Sequence, residues 1–275
     1  MWSEEADIPT TRIRTRDLTL GLIALAVVGV VLWLMGQGGY PAGPDECIAL
    51  GDCYCEAIHF GALVAQPANS WSNGGFALVG LLVLAGFGGL IGSSLIATEN
   101  AVRRMYGGIA LFLAVGSFLF HGTMRAWGGY LDLLSMHAFI AFLLAYDITR
   151  IRGGGLAMLS KWLWPLLAGF AVVLGLVRPE YGKVVFAALV VVTLVVEFFA
   201  GRGATVVHRW PWFWTGLGVF VAANVVWNLS RTPGPWCNPD SLLQGHALWH
   251  LLSALTVWCL YKYLLADERA GESVG

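Results

Sequence analysis

Charge is what this sequence has least of. Only 12% of its 275 residues are Asp, Glu, Lys or Arg, against 57% that are hydrophobic. That scarcity excludes a soluble domain, which could not hide so much apolar surface, and a mean hydropathy of +0.70 points the same way. No obvious small-residue cleavage site follows the first apolar stretch, so an uncleaved first helix is expected. The absence of a low-complexity tract or a convincing internal repeat argues against an array. There is no Cys-x-x-Cys-His run for haem attachment, and no Gly-x-Ser-x-Gly or similar nucleophile turn surrounds Ser117 in the third span. Paired Gly/Pro-broken helices in corresponding halves, a mark of many transporters, are also missing. The net charge of −1 carries no information about partners, and nothing points to nucleic acid or to a protein partner.

What the sequence does have is apolar length. Runs that can span a bilayer recur at 18–36, 70–92, 102–123, 131–149, 160–177, 183–200, 211–229 and 245–265. Eight helices with short connections predict an all-α, polytopic membrane helical bundle. The one long connection, 37–69, holds Gly38-Gly39, Pro41, Gly43-Pro44 and three cysteines. It is expected to be an ordered loop with a short surface helix.

Placing the N-terminus inside puts twelve of the sixteen Lys and Arg on one side, among them Arg12, Arg202 and Arg209. The other side keeps only Arg125, Arg178, Lys183 and Arg231. This bias predicts that both termini are cytoplasmic. Trp162, Trp164, Trp210, Trp212 and Trp214 would then form an aromatic belt at the inner interface. Cys47, Cys53, Cys55 and Cys237 fall in outer loops, where disulfides can form, and Cys259 lies within the last helix. Spacing alone leaves three connectivities open for the four. Short loops and the lack of a retention signal favour a bacterial plasma membrane.

Ionisable residues inside spans are costly, so each is a functional candidate. Ser117 and His121 are four apart on the third span, Asp132 opens the fourth, and His246 and His250 are four apart on the eighth. Spacing of four sets two imidazoles one helical turn apart on one face, which suits two ligands of a single metal. The predicted topology brings His121, Asp132, His246 and His250 to the same outer depth. No fourth His or Cys shares that level, so a metal held there would keep an open position, as catalytic sites do. His137, off the face of Asp132, reads as a packed or hydrogen-bonded histidine, and His208 as solvated beside Arg209. His59 has no assigned role. Asp147 and Glu197 lie near inner helix ends, where snorkelling is the simpler account. Asn224 and Asn228 share one helix face, as polar packing or as the lining of a polar pocket.

Three segments carry a resemblance. These are Gly116-Ser117-Phe118-Leu119-Phe120-His121-Gly122-Thr123, Leu131-Asp132-Leu133-Leu134-Ser135-Met136 and His246-Ala247-Leu248-Trp249-His250. Together with Cys55-Glu56, Asn69-Ser70-Trp71-Ser72-Asn73 and Trp227-Asn228, they resemble the alkaline ceramidase family, within a superfamily of seven-helix membrane hydrolases that includes adiponectin-type receptors. The likeness spans roughly residues 52 to 265. It implies a seven-helix ceramidase-like core in 37–275, preceded by one extra transmembrane helix within 1–36. It also implies a zinc ion on His121, His246 and His250, with Asp132 and Ser117 beside it; metal-assisted hydrolysis would then use Asp132 as proton carrier and Ser117 as donor to the oxyanion. The implied reaction is hydrolysis of the N-acyl bond of a ceramide, a membrane lipid substrate, to sphingoid base and fatty acid. A disulfide between Cys55 and Cys237 fits the family, and Cys47 with Cys53 would then form a second, local bridge. Some relatives bind calcium through acidic residues in the segment before the first family helix. Asp52 and Glu56 match that pattern, but Gln66 stands where a carboxylate would be and Ile58 where an amide would be. Other readings stay open: a hydrolase of another lipid amide or ester, or a lipid-responsive, receptor-like protein with structural zinc.

Overall fold

The structure is a computed structural model that describes residues 14–88, 93–177, 179–200, 206–207, 210–266 and 268–269. Arg12, Arg178, Arg202, His208 and Arg209 lie outside the described residues. The helices are α1 Thr15–Gln37, α2 Glu46–Leu50, α3 Pro67–Trp71, α4 Gly74–Ala85, α5 Leu95–Thr98, α6 Asn100–Thr123, α7 Ala126–Ile151, α8 Leu156–Leu176, α9 Pro179–Ala200, α10 Trp210–Ser230 and α11 Gly245–Leu265. Beside them, Val206–Val207 pairs antiparallel with Glu268–Arg269. Seven of the helices (α1, α6, α7, α8, α9, α10 and α11) are long and apolar enough to cross a membrane. This makes the chain a multi-pass, all-α membrane protein.

The run expected as a span at 70–92 is built differently, as α3 and α4 joined at Ser72 and Asn73. Both joint residues keep right-handed backbone angles (φ −61°, ψ −22° and φ −65°, ψ −12°). Ser72 turns its hydroxyl onto the Asn69 carbonyl at 2.9 Å, a local bond of the kind that loosens helix geometry. Gly86, at φ +84°, ends α4 in the left-handed conformation that glycine adopts without strain. The jointed segment still runs the depth of the bundle. At one end the Gln66 N–H donates to the His121 carbonyl at the C-terminal end of α6. At the other, Arg103, near the start of α6, donates to the carbonyls of Val83 and Leu84 at 2.8 and 2.6 Å.

Burial sorts the helices. α6, α7 and α11 are the buried ones, whereas α1, α8, α9 and α10 turn most of their apolar residues outward, as lipid-facing helices do. Small residues let the inner helices approach closely. A methyl added at Gly116 would come within 2.7 Å of the Leu131 carbonyl, so glycine is what allows the Ser117 turn of α6 to lie against the Asp132 turn of α7. Tyr106, fully buried in α6, packs edge-on against Phe139 and Phe142 and donates its hydroxyl to the Val257 carbonyl of α11 at 2.6 Å. These contacts hold α6, α7 and α11 together beneath the site.

Asp147 and Glu197 correct the snorkelling expectation. Both are buried, and the Arg150 guanidinium binds both, at 2.9 and 2.6 Å, while Tyr263 donates to Glu197. Both carboxylates lose water on burial, and the shared guanidinium and the Tyr263 hydroxyl offset part of that cost. Asn224 and Asn228 each donate to the carbonyl four residues earlier in their own helix rather than across to another.

The long connection is ordered, with α2 as its surface helix. Asp45 caps α2 through the Cys47 N–H at 2.9 Å, and Gly51, at φ +66°, closes it. Disulfides join Cys47 to Cys53 and Cys55 to Cys237. The second ties this loop to the connection before α11.

Candidate metal centre

The three histidines arrive from two helices. His121 ends α6; His246 and His250 lie on the first two turns of α11. All three are buried, and a ligand nitrogen from each lies within 4.8 Å of the other two. The Nε2 atoms of His121 and His246 are 3.1 Å apart. Two nitrogens bound tetrahedrally to zinc at its usual bond length would sit about 3.3 Å apart. The donor set, three imidazoles with a carboxylate beside them, could hold a metal ion and is compatible with zinc. Among the described residues, this is the one cluster of three or more His, Cys, Asp or Glu side chains close enough to share an ion.

Groups behind the ligands decide which nitrogen faces the centre. Ser72 Oγ donates to the Asn69 carbonyl, so its lone pair, 2.8 Å from His250 Nδ1, accepts the imidazole proton. That leaves His250 Nε2 free to ligate, 3.3 Å from Ser117 Oγ. Gln66 Oε1 stands 2.8 Å from His121 Nδ1. Aromatic rings close the walls: Tyr54 and Trp249 both stack on His246, with centroids 4.2 and 5.1 Å away.

Ser117, one turn before His121, has its hydroxyl 3.3 Å from His250 Nε2 and sits beside the Asp132 carboxyl. Asp132 is partly buried near the start of α7, where Ser135 bonds its carbonyl at 2.7 Å. The sequence-derived set of Ser117, His121, Asp132, His246 and His250 is therefore assembled at one end of the bundle.

Asp52 and Glu56 are not brought together in the same way. Both oxygens of Glu56 accept backbone N–H groups, from Ala68 and Asn69 at 2.7 and 2.8 Å, capping the start of α3. Asp52 is partly exposed after Cys47–Cys53 closes its loop. His137 is packed as expected, with Nδ1 2.7 Å from the Leu133 carbonyl and its ring edge-on to Phe170 and Phe186.

Four residues at the site have no role in the sequence reading: Tyr54, Gln66, Ser72 and Lys183. Lys183, on α9, places its Nζ 4.7 Å from the centre of the Tyr54 ring. Burial, and then the charges of Asp132, Asp45 and Asp52, push the Tyr54 hydroxyl well above the usual tyrosine range. Burial also raises the Asp45 carboxyl, against the opposing pull of the Cys47 N–H and the Lys183 charge. The sequence did offer one signal, the polar run Asn69-Ser70-Trp71-Ser72-Asn73 at the entry to an apolar span, where polar groups need a reason.

A bundle of membrane helices that gathers three buried histidines, a serine and an aspartate at one end defines a polytopic membrane protein with a candidate metal centre. A family model described as Ceramidase matches residues 54–271, and the chain belongs to that family. Its members are hydrolases of the amide bond of ceramides, lipid substrates that lie in the membrane. No curated protein matches the chain.

Proposed function

We propose that the protein is a zinc-dependent amidase that cleaves the N-acyl bond of ceramide-type lipids into a sphingoid base and a fatty acid. One observation carries this reading: His121, His246 and His250 converge with Ser117 and Asp132 at their side, in a chain of the Ceramidase family. When bound, zinc supplies a Lewis acid for the amide carbonyl and lowers the pKa of a bound water to about 7. The three histidines would hold it, and among the described residues no further His, Cys, Asp or Glu joins their cluster, which fits a catalytic site better than a closed structural one.

The chain's own groups then divide the work. Asp132 takes the proton of the attacking water and delivers it to the amide nitrogen as the C–N bond breaks. Ser117 donates its hydroxyl to the former carbonyl oxygen as negative charge gathers there. An apolar cavity between α7, α9, α10 and α11, lined by Phe139, Leu143, Leu194, Phe213 and Leu260 and bordered by Asp147 and Glu197, has room for a lipid tail. The charge bias of the loops puts both termini in the cytoplasm and the centre near the outer leaflet. Residues 1–36 then supply an extra membrane helix ahead of the hydrolase bundle in 37–275.

The test is release of fatty acid from N-acyl sphingoid bases by detergent-purified protein, with and without a zinc chelator. Chelator-sensitive release, restored by zinc, is expected. Zinc-loaded protein that leaves every ceramide intact but cleaves another lipid amide or ester would replace the substrate and keep the chemistry.

A further inference from the structure

Gln66 is fully buried at the entry to α3, and each polar atom of its amide is engaged. Its nitrogen lies 2.7 Å from the Cys53 carbonyl and 2.8 Å from that of Glu56. Two carbonyl oxygens can be met only by the –NH2 end, so these neighbours fix which way the amide points. The oxygen end therefore faces His121 Nδ1 at 2.8 Å, and Asn69 Nδ2 at 3.4 Å. An amide oxygen only accepts, so Nδ1 of His121 holds the proton. Nε2 is left with its lone pair, directed towards His246 Nε2 at 3.1 Å.

The donor end does a second job. Cys53 and Glu56 bracket Tyr54 and Cys55, two consecutive non-glycine residues in the left-handed region, at φ +63° and +71°. Such a pair persists only where its surroundings hold it. The two bonds from Gln66 grip the chain on either side, and in that conformation the Tyr54 ring stacks on His246 at 4.2 Å. One side chain is thus joined directly to one histidine of the centre and, through Tyr54, to a second.

We propose that Gln66 is a positioning residue for the metal centre: its amide sets the imidazole of His121 with Nε2 free to ligate and holds the Tyr54–Cys55 turn against His246. Asparagine would be too short to reach both sides, and a residue that only filled the space would leave His121 free to take either tautomer. This rests on the reading of the centre as a zinc site.

The experiment compares wild type with Gln66→Met, which keeps the volume and loses the amide, and with Gln66→Glu, which keeps an oxygen for His121 and loses both donors. The readouts are zinc affinity by chelator competition, the visible absorption of the cobalt-substituted protein, and thermal unfolding of the zinc-free protein. Gln66→Met is expected to bind zinc about 10–100-fold more weakly, with a shifted cobalt spectrum. Gln66→Glu is expected to bind zinc at least as tightly as wild type while unfolding at a lower temperature, because only the loop has lost its hold. Should Gln66→Met fail to fold, the Gln66→Glu arm still decides. Wild-type affinity and spectrum in Gln66→Met, or a loss in Gln66→Glu, would overturn the role of Gln66 alone. A wild-type protein that binds no zinc would remove the metal reading, and this inference with it.

Discussion

The Nε2 atoms of His121 and His246 face each other at 3.1 Å, although 125 residues separate them in the chain. Two neutral imidazoles brought this close, with His250 completing the set, form a trap for a cation. Replacing one should abolish the trap. His246→Ala is expected to lose bound zinc and hydrolysis together. The stabilisation that zinc confers should go too, about 2.7 kcal/mol in wild type at a hundredfold excess over Kd. Metal content by mass spectrometry and unfolding curves with and without zinc check this. A His246→Ala protein that keeps one equivalent of zinc would mean that the ion sits elsewhere.

Asp132 and Ser117 stand beside the histidines and belong to a different class of effect. Asp132→Asn preserves shape and removes the base, so it should retain zinc and lose turnover by about 10²–10⁴-fold. Ser117→Ala removes one donor to the developing charge and should cost about 10²–10³-fold in kcat, again with zinc in place. Single-turnover kinetics on metal-loaded protein separate these from loss of binding. Asp132→Asn working at the wild-type rate would end its assignment as proton carrier.

The grouping of the three histidines was legible in the sequence. His121, His246 and His250 could be grouped because a span is a ruler: residues four apart share a face, and alternating spans return to the same depth. The walls of the site were not legible, for a physical reason. Tyr54 reaches His246 only because two residues take left-handed angles between two disulfides, and no periodicity encodes such a turn. The 70–92 run misled in a milder way. Its hydropathy is that of a span, yet Ser72 and Asn73 spend their side chains on local carbonyls and divide the helix. Asp147 and Glu197 do not snorkel because Arg150, in the last turn of α7, turns inward onto both, a pairing that helical spacing within one span cannot show for Glu197.

The Cys55–Cys237 disulfide joins positions 182 residues apart and pins the Tyr54 turn to the connection before α11. Cross-links over long loops restrict the unfolded chain most. Cys237→Ser is therefore expected to lose roughly 2–5 kcal/mol of stability, and mild reductant to do the same in wild type. Unfolding in detergent, followed with and without reductant, measures it. Equal curves for all samples would show that the loop is held without the bridge, by Gln66 and the Glu56 cap.

Helix α1, which lies ahead of the residues that the family model matches, offers a contrast between two ion pairs that share one acid. Asp17, buried in α1, receives Arg103 at 2.9 Å and Arg104 at 3.0 Å, but the Arg103 side chain is fully buried and that of Arg104 is 53% exposed. Arg103 also holds the carbonyls of Val83 and Leu84, so it links α1, α4 and α6. Removing the acid strands a buried guanidinium, and Asp17→Asn should cost about 3–5 kcal/mol. Arg104→Ala breaks a solvated pair and should change stability by less than about 1 kcal/mol. Because the metal centre lies at the opposite end of α6, zinc affinity should be unmoved in both variants, a pattern that unfolding curves and chelator competition can read together. If Asp17→Asn also released zinc, α1 would have to count as part of the hydrolase core and not as an addition to it.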